Sequence, residues 1–318
     1  MSASEAGRSR VVIDTDPGID DGVAILFALA SGAFEVLGLT TVAGNIGIAA
    51  TTRNAGRLLA ALGAEVPVIS GAAAPLARVG IEESAIHGQD GLGGVAFPAP
   101  ATAPAEGAVA WLADLLMREP EGSIDLLALG PLTNLALLLR EAPAAAARLG
   151  RVIAMGGAVQ EPGNVGPRAE FNLAVDPEAA AEVMAAELDL TLVPLDVTRR
   201  VRATLEDCAQ LRASGQPAAE GAAGLIEAYF QTTATESKVA ESRPLHDPCV
   251  MLLALRPDLF RCEELTLAVD CRLEPGALEP APEAPPVRVA LGVDAPAALA
   301  LLIRGLTGAP LPPGGEEA

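Results

Sequence analysis

Residues 11–27 read Val11-Val12-Ile13-Asp14-Thr15-Asp16-Pro17-Gly18-Ile19-Asp20-Asp21-Gly22-Val23-Ala24-Ile25-Leu26-Phe27. The β-branched run Val11-Val12-Ile13, stopped by Pro17-Gly18, predicts a short buried strand. The apolar pattern that follows Asp20 and Asp21 predicts a helix. Four aspartates therefore crowd one strand-to-helix turn. In an open parallel sheet, ligands bind outside the carboxyl ends of the strands, where the strand order reverses, and such a turn lies at that edge. Aspartate at a helix N-terminus accepts from orphan N–H groups and suits the helix dipole, so one or two of the four need do no more than cap. Capping does not account for all four. Carboxylates packed this closely repel one another, and a bound divalent cation is the simplest relief; ligation by oxygen alone favours calcium or magnesium over zinc.

Outward from that turn, strand-like and helix-like segments alternate. Strands are expected at 10–14, 36–42, 66–69, 124–129, 151–155 and 190–195, and helices at 20–30, 48–62, 107–118, 132–140 and 177–186. Alternation with nearly continuous apolar strands predicts an α/β fold: an open, mostly parallel, twisted, Rossmann-like sheet with helices on both faces. The rhythm then breaks. Segments 217–237 and 246–255 read as a C-terminal helical insert, runs 265–273 and 287–293 as a small extra strand pair, and 296–306 as a last helix. The Pro- and Glu-rich stretch 274–286 reads as a surface loop. One domain over 10–310 is expected, with disordered tails at 1–9 and 311–318.

Composition narrows the function. The chain has 318 residues, 51% of them hydrophobic, which is enough for a large core. A net charge of −20 with no basic stripe argues against nucleic acid as a partner. No apolar stretch is long enough to cross a membrane and the N-terminus is polar, so a cytoplasmic protein is expected. Cys208, Cys249, Cys262 and Cys271 lack CxxC spacing and read as reduced thiols.

Several segments expected to leave the carboxyl ends of strands carry amides, carboxylates and the two histidines of the chain. These are Thr41-Val42-Ala43-Gly44-Asn45, Gly130-Pro131-Leu132-Thr133-Asn134, Met155-Gly156-Gly157, Gly163-Asn164, Glu170-Phe171-Asn172 and His246-Asp247-Pro248, with Ile86-His87-Gly88 in a Gly-rich loop. Any one of these side chains is structural more often than not. Together they supply donors and acceptors suited to the vicinal hydroxyls of a ribose beside a metal.

On these motifs the chain resembles the inosine-uridine preferring nucleoside hydrolases over nearly its whole length. The segment Asp14 to Asp21 resembles the family's N-terminal fingerprint, and Asn45, Thr133, Asn164, Glu170, Asn172, His246 and Asp247 each fall in a matching local motif. The resemblance implies a nucleoside such as inosine or uridine as substrate, calcium as cofactor and a homo-oligomer, dimer or tetramer. It implies that Asp16, Asp21, Asp247 and the backbone carbonyl of Thr133 hold the calcium. It also implies that Asp20, Asn45, Asn164, Glu170 and Asn172 hold the ribose, helped by Asp247 and the main chain near Met155. Cleaving an N-glycosidic bond develops positive charge on the sugar, which a carboxylate-rich pocket stabilises. Asp16 is the expected general base on the attacking water, and His246 the expected acid for the departing base. His87 suits a lid or a contact to the ribose 5-hydroxyl. Tyr229 and Phe230 could stack on the nucleobase or simply pack the insert, and Trp111 reads as core.

Two rivals stand beside this reading. Asp14-Thr15-Asp16 after a strand also suits a magnesium-dependent aspartate-nucleophile phosphatase. That class expects Thr or Val where Gly18 stands and a phosphate-binding lysine, whereas Lys238 is the single lysine here. A non-catalytic ribose- or calcium-binding module would keep the metal ligands without needing Asp16 as a base or His246 as an acid.

Overall fold

From Val11 onward the first strand is buried on both faces, between two parallel neighbours inside the main sheet. In the computed structural model, which describes residues 8–232 and 241–312, Val11, Val12 and Ile13 are wholly inaccessible to solvent. Burying each of these side chains stabilises the fold by about 1.5–3 kcal/mol. The strands are β1 (Ser9–Thr15), β2 (Phe34–Thr41), β3 (Val68–Ser70), β4 (Ala105–Glu106), β5 (Asp125–Ala128), β6 (Arg151–Met155), β7 (Asp189–Val193), β8 (Arg202–Ala203), β9 (Arg243–Pro244), β10 (Phe260–Val269), β11 (Leu278–Pro280) and β12 (Pro286–Val293). Ten of them form one sheet in the order β11-β10-β12-β7-β6-β5-β1-β2-β3-β4, and β8 pairs with β9 alone.

From β12 to β4 every neighbouring pair is parallel, and only β10 runs antiparallel to its two neighbours. The sequence proceeds outward from β1 through β2, β3 and β4 on one side, then resumes at β5 on the other. The order therefore reverses between β1 and β5, which places the switch point beside Asp16 and Gly130.

Alternation along the central strands divides the core into two layers. Val11, Ile13, Leu127, Ile153 and Met155 face one layer with the helices Ile19–Ala30, Pro217–Thr232, Pro248–Leu255 and Ala295–Leu306. Val12, Leu126, Ala128, Val152 and Ala154 face the other with Ala108–Arg118, Thr133–Glu141 and Pro177–Ala185. Period-two side chains on a sheet covered from both sides give this division. Trp111 fills a notch in β2: a Cβ at Gly38 would lie 2.3 Å from its ring.

The expected α/β class and most elements match, with differences in the last third. The strand expected at 265–273 runs instead over Phe260–Val269, and 270–273 turn. The pair does not stand apart; β12 adds parallel to β7 and β10 adds beyond it, so both extend the main sheet. The expected loop 274–286 contains β11. The helical insert holds Leu205–Ala213 as well as Pro217–Thr232, and the rest of the expected helix 217–237 lies outside the described residues. The same holds for 1–7 and 313–318 of the expected tails.

Candidate active site

A cavity of about 240 Å³ opens at the carboxyl ends of β5 and β6 and beside the turn that follows β1. Asp20, Asn45, His87, Met155, Asn164, Glu170, Asn172, Tyr229, His246 and Asp247 all line it. These residues come from seven separate chain segments. Asp16, Asp21 and Thr133 are buried and are not among the lining residues.

The four aspartates of the first turn divide by role. Asp14 points into the sheet end, where its Oδ1 accepts from Thr40 Oγ1 at 2.6 Å and Asn134 Nδ2 at 2.8 Å. Asp21 behaves in part as a cap. Its Oδ2 accepts from Gly18 N–H at 2.9 Å and Asn45 Nδ2 at 3.0 Å, and its Oδ1 from Thr15 Oγ1 at 2.6 Å. Asp20 reaches the cavity wall, where one carboxylate oxygen each from Asp20, Asp21 and Asp247 lie within 4.8 Å of one another. Asp247 makes no capping bond to the helix Pro248–Leu255 that it precedes, so capping does not explain it.

Asp16 sits beside this triplet in a space that two glycines clear. Its Oδ2 accepts from Asn45 N–H at 2.7 Å, and its buried Oδ1 has no hydrogen-bond partner. A Cβ at Gly44 would lie 2.1 Å from Oδ2 and one at Gly130 2.3 Å from Oδ1. An orphaned, buried carboxylate oxygen is costly without a cation, proton or water to meet it. Burial acts on the whole cluster: burial, then Asp21, raise the Asp16 pKa well above the usual range; burial and then its neighbours Asp20, Asp21 and Asp16 do the same for Asp247; and Asp20 is pushed to about 7 by burial and then Asp21. Together these groups fit a hard divalent cation, which would supply the missing positive charge.

Amides and a glutamate build the opposite wall. Glu170 caps the helix Phe171–Val175: its Oε1 accepts from Asn172 N–H, and its Oε2 from Leu173 N–H and, across the cavity wall, Gly157 N–H. Burial still raises its pKa to about 7 against those bonds. Asn172 Nδ2 donates to Leu129 O at 2.7 Å and Met155 O at 3.2 Å, stitching the ends of β5 and β6 together. Asn164 lies at the exposed rim, its Oδ1 accepting from Phe171 N–H at 2.9 Å. Thr133 starts the helix Thr133–Glu141 with its hydroxyl donated to Asp176, which leaves the backbone as its remaining polar group.

Both histidines face the cavity. His87 ends the one-turn helix Ser84–His87, and its Nδ1 accepts from Ile19 N–H at 3.0 Å. Gly18 permits that approach, because a Cβ there would be 2.5 Å from Nδ1. Burial lowers the His87 pKa to about 4, against the pull of Asp21. His246 Nδ1 lies 2.7 Å from Thr198 Oγ1, and burial together with Arg199, His87 and Arg202 lowers its pKa to about 3. Burial therefore favours the neutral form of both rings. The aromatic pair separates: Tyr229 lines the cavity with the Arg243 guanidinium 5.7 Å from its ring, while Phe230 is buried in the core.

Known proteins resemble this chain in sequence and in fold. A sequence profile described as "Inosine-uridine preferring nucleoside hydrolase" matches residues 11–300. The chain belongs to the inosine-uridine preferring nucleoside hydrolase family. The pyrimidine-specific ribonucleoside hydrolase RihA of Shewanella woodyi is 38% identical over 265 residues, covering 83% of this chain and 85% of that protein. RihA of Escherichia coli O127:H6 is 38% identical over 261 residues, 82% and 84% of the two chains. Among solved structures, a purine-preferring ribonucleoside hydrolase from Gardnerella vaginalis superposes with a TM-score of 0.88 at 28% identity, over 94% of this chain and 98% of that one. A plant nucleoside hydrolase, PpNRh1, gives 0.86 at 33% identity, over 94% and 99%. The protein is thus a nucleoside hydrolase, an enzyme that cleaves the N-glycosidic bond of ribonucleosides. The phosphatase reading finds no support in the site, because Asp14 is turned away and no lysine occurs among the described residues.

Sequence reasoning overlooked Glu83, Leu129, Leu195, Arg199, Arg202 and Pro244 of the nucleoside hydrolase cavity. The arginines had a signal: Arg199, Arg200 and Arg202 crowd the segment just after a strand in a chain of net charge −20.

Proposed function

We propose that this nucleoside hydrolase uses calcium, held by Asp16, Asp21, Asp247 and the Thr133 carbonyl, to cleave ribonucleosides such as uridine or inosine into ribose and free base. The observation that carries this reading is the orphaned Asp16 Oδ1 beside the Asp20, Asp21 and Asp247 carboxylates, in space kept clear by Gly44 and Gly130. When bound, calcium supplies charge compensation and oxygen-tolerant coordination for sugar hydroxyls and water.

The chain's own residues provide the rest. Asp20, Asn45, Asn164, Glu170, Asn172 and Asp247 ring the cavity with acceptors and donors matched to a ribose, and Met155 contributes its main chain. Binding the sugar there fixes the anomeric carbon relative to Asp16. Asp16, whose carboxylate a bound cation would keep charged, takes the proton of the attacking water as the C–N bond breaks. Buried carboxylates around the sugar stabilise the positive charge that develops on it more than they stabilise the neutral substrate. His87 approaches from the side of Ile19 as a contact to the ribose 5-hydroxyl, and Tyr229 offers a face to the nucleobase. His246 serves the leaving base; as a neutral imidazole it acts by donating a hydrogen bond to the developing negative charge on that base and keeps its own ring proton.

The relatives named for pyrimidine ribonucleosides put those substrates first in a test panel. Release of free base and ribose, followed by ultraviolet absorbance and reducing-sugar assay, is expected with calcium and is expected to fall to background after chelation and recover on adding calcium back. Full activity in chelator would remove the metal from the reading.

A further inference from the structure

We propose that Thr198 is a positioning residue that locks His246 as the tautomer carrying its proton on Nε2, so that the ring presents a fixed N–H donor to the leaving base. The inference rests on the reading above that His246 faces that base. Thr198 is wholly buried at the end of the one-turn helix Leu195–Thr198, and its Oγ1 lies 2.7 Å from His246 Nδ1. A hydroxyl holds one proton and can donate it or accept another group's. Among the described residues, His246 Nδ1 is the single hydrogen-bond partner of the Thr198 hydroxyl. If Nδ1 carried the ring proton, the hydroxyl would accept it and its own proton would be buried without an acceptor, which is unfavourable. With Nδ1 bare, the hydroxyl donates and both groups are satisfied. The ring proton is then on Nε2.

The helix around Thr198 is itself pinned, so the lock is rigid. Asp196 accepts three backbone N–H bonds, from Val159, Gln160 and Glu161, and Arg199 donates to Pro162 O and Gly163 O. His87 provides a comparison inside the same cavity. Its Nδ1 accepts from a backbone N–H, which leaves Nε2 as its only protonated nitrogen. Both rings thus carry their proton on Nε2, one fixed by an amide and the other by a hydroxyl.

The chain has two histidines, so nitrogen-15 spectra of the full-length protein, purified with a histidine-free tag, resolve both rings; His87→Gln assigns them. At pH 7 we expect a pyridine-like Nδ1 and a pyrrole-like Nε2 for His246, retained in Thr198→Ser. In Thr198→Val both nitrogens should move toward averaged shifts. The Val variant should also lower kcat for uridine by about five- to tenfold with KM little changed, spare a nitrophenyl riboside whose leaving group needs no proton, and be rescued by Ser. A protonated Nδ1 in the wild type, or a Val variant with an unaltered tautomer, would overturn the proposal, as would equal slowing of both substrates in a Val variant of wild-type thermal stability. Failure of the leaving-group reading shows separately, as His246→Ala cleaving both substrates at the wild-type rate.

Discussion

Single atoms decide the chemistry at Asp16. One of its oxygens is spoken for by Asn45 N–H at 2.7 Å, and the other is buried without a partner between glycines that leave it room. Asp16→Asn keeps an oxygen for the Asn45 bond and puts an amide where the orphan oxygen stood, so the fold is expected to survive. The amide cannot take a proton from water, and turnover should fall by at least about a thousandfold. Steady-state rates beside a circular dichroism melt test this; turnover within tenfold of wild type would remove Asp16 as the base. The residue scale is also where the sequence was most and least legible. Asp16, Asp20 and Asp21 announced themselves by density and by their place after a β-branched run. Thr198 and Asp196 did not, because Leu195-Asp196-Val197-Thr198 carries no pattern until the fold brings it against His246 and the loop 159–163.

Elements follow local rules where they are buried and depart from them where the chain wraps the edge. Strands β1, β5, β6 and β7 were readable as apolar runs because both faces are covered. The strand β10 was misplaced by five residues at its start, because half-exposed alternation in Phe260–Val269 includes Arg261, Glu263 and Glu264, which hide the strand among charges. The short helix Phe171–Val175 shows how an element holds the site. Glu170 caps it, and Asn172 in its first turn ties β5 to β6. The cap carries a pH signature. Burial raises the Glu170 pKa from 4.5 to about 7, so its stabilising contribution is complete below about pH 4.5 and is lost as pH rises through about 7. Glu170→Gln removes that titration while losing one acceptor, at a cost of about 1–2 kcal/mol at pH 5. Denaturant melts in chelator should show the gap between wild type and variant closing from pH 5 to pH 8. A constant gap would mean that Glu170 is ionised throughout.

At the scale of the whole molecule, the fold buries an acidic centre whose mutual repulsion a bound cation would relieve. The chain already carries a net charge of −20, and its central switch point adds Asp16, Asp20, Asp21 and Asp247 within one buried neighbourhood. Without a cation, Asp20 titrates near 7 rather than 3.8, and Asp16 and Asp247 are raised as well. Raised carboxyl pKa values mean that the metal-free protein binds more protons folded than unfolded, so its stability should fall as pH rises from about 4 through about 7. A bound divalent cation reverses the sign. It favours the charged carboxylates, must displace their protons, and therefore binds more tightly as pH rises. Two melting series follow, one in chelator with Tm declining from pH 5 to pH 8, and one in excess calcium with Tm flat or rising. At a calcium concentration a hundred times the Kd, the gap near pH 8 corresponds to about 2.7 kcal/mol. Calorimetric titration at pH 6 in buffers of different ionisation enthalpy should also register proton release on calcium binding. Parallel melting series, with no proton released, would mean that the acidic centre is charged and satisfied before any metal arrives, and the orphan oxygen of Asp16 would then need another partner.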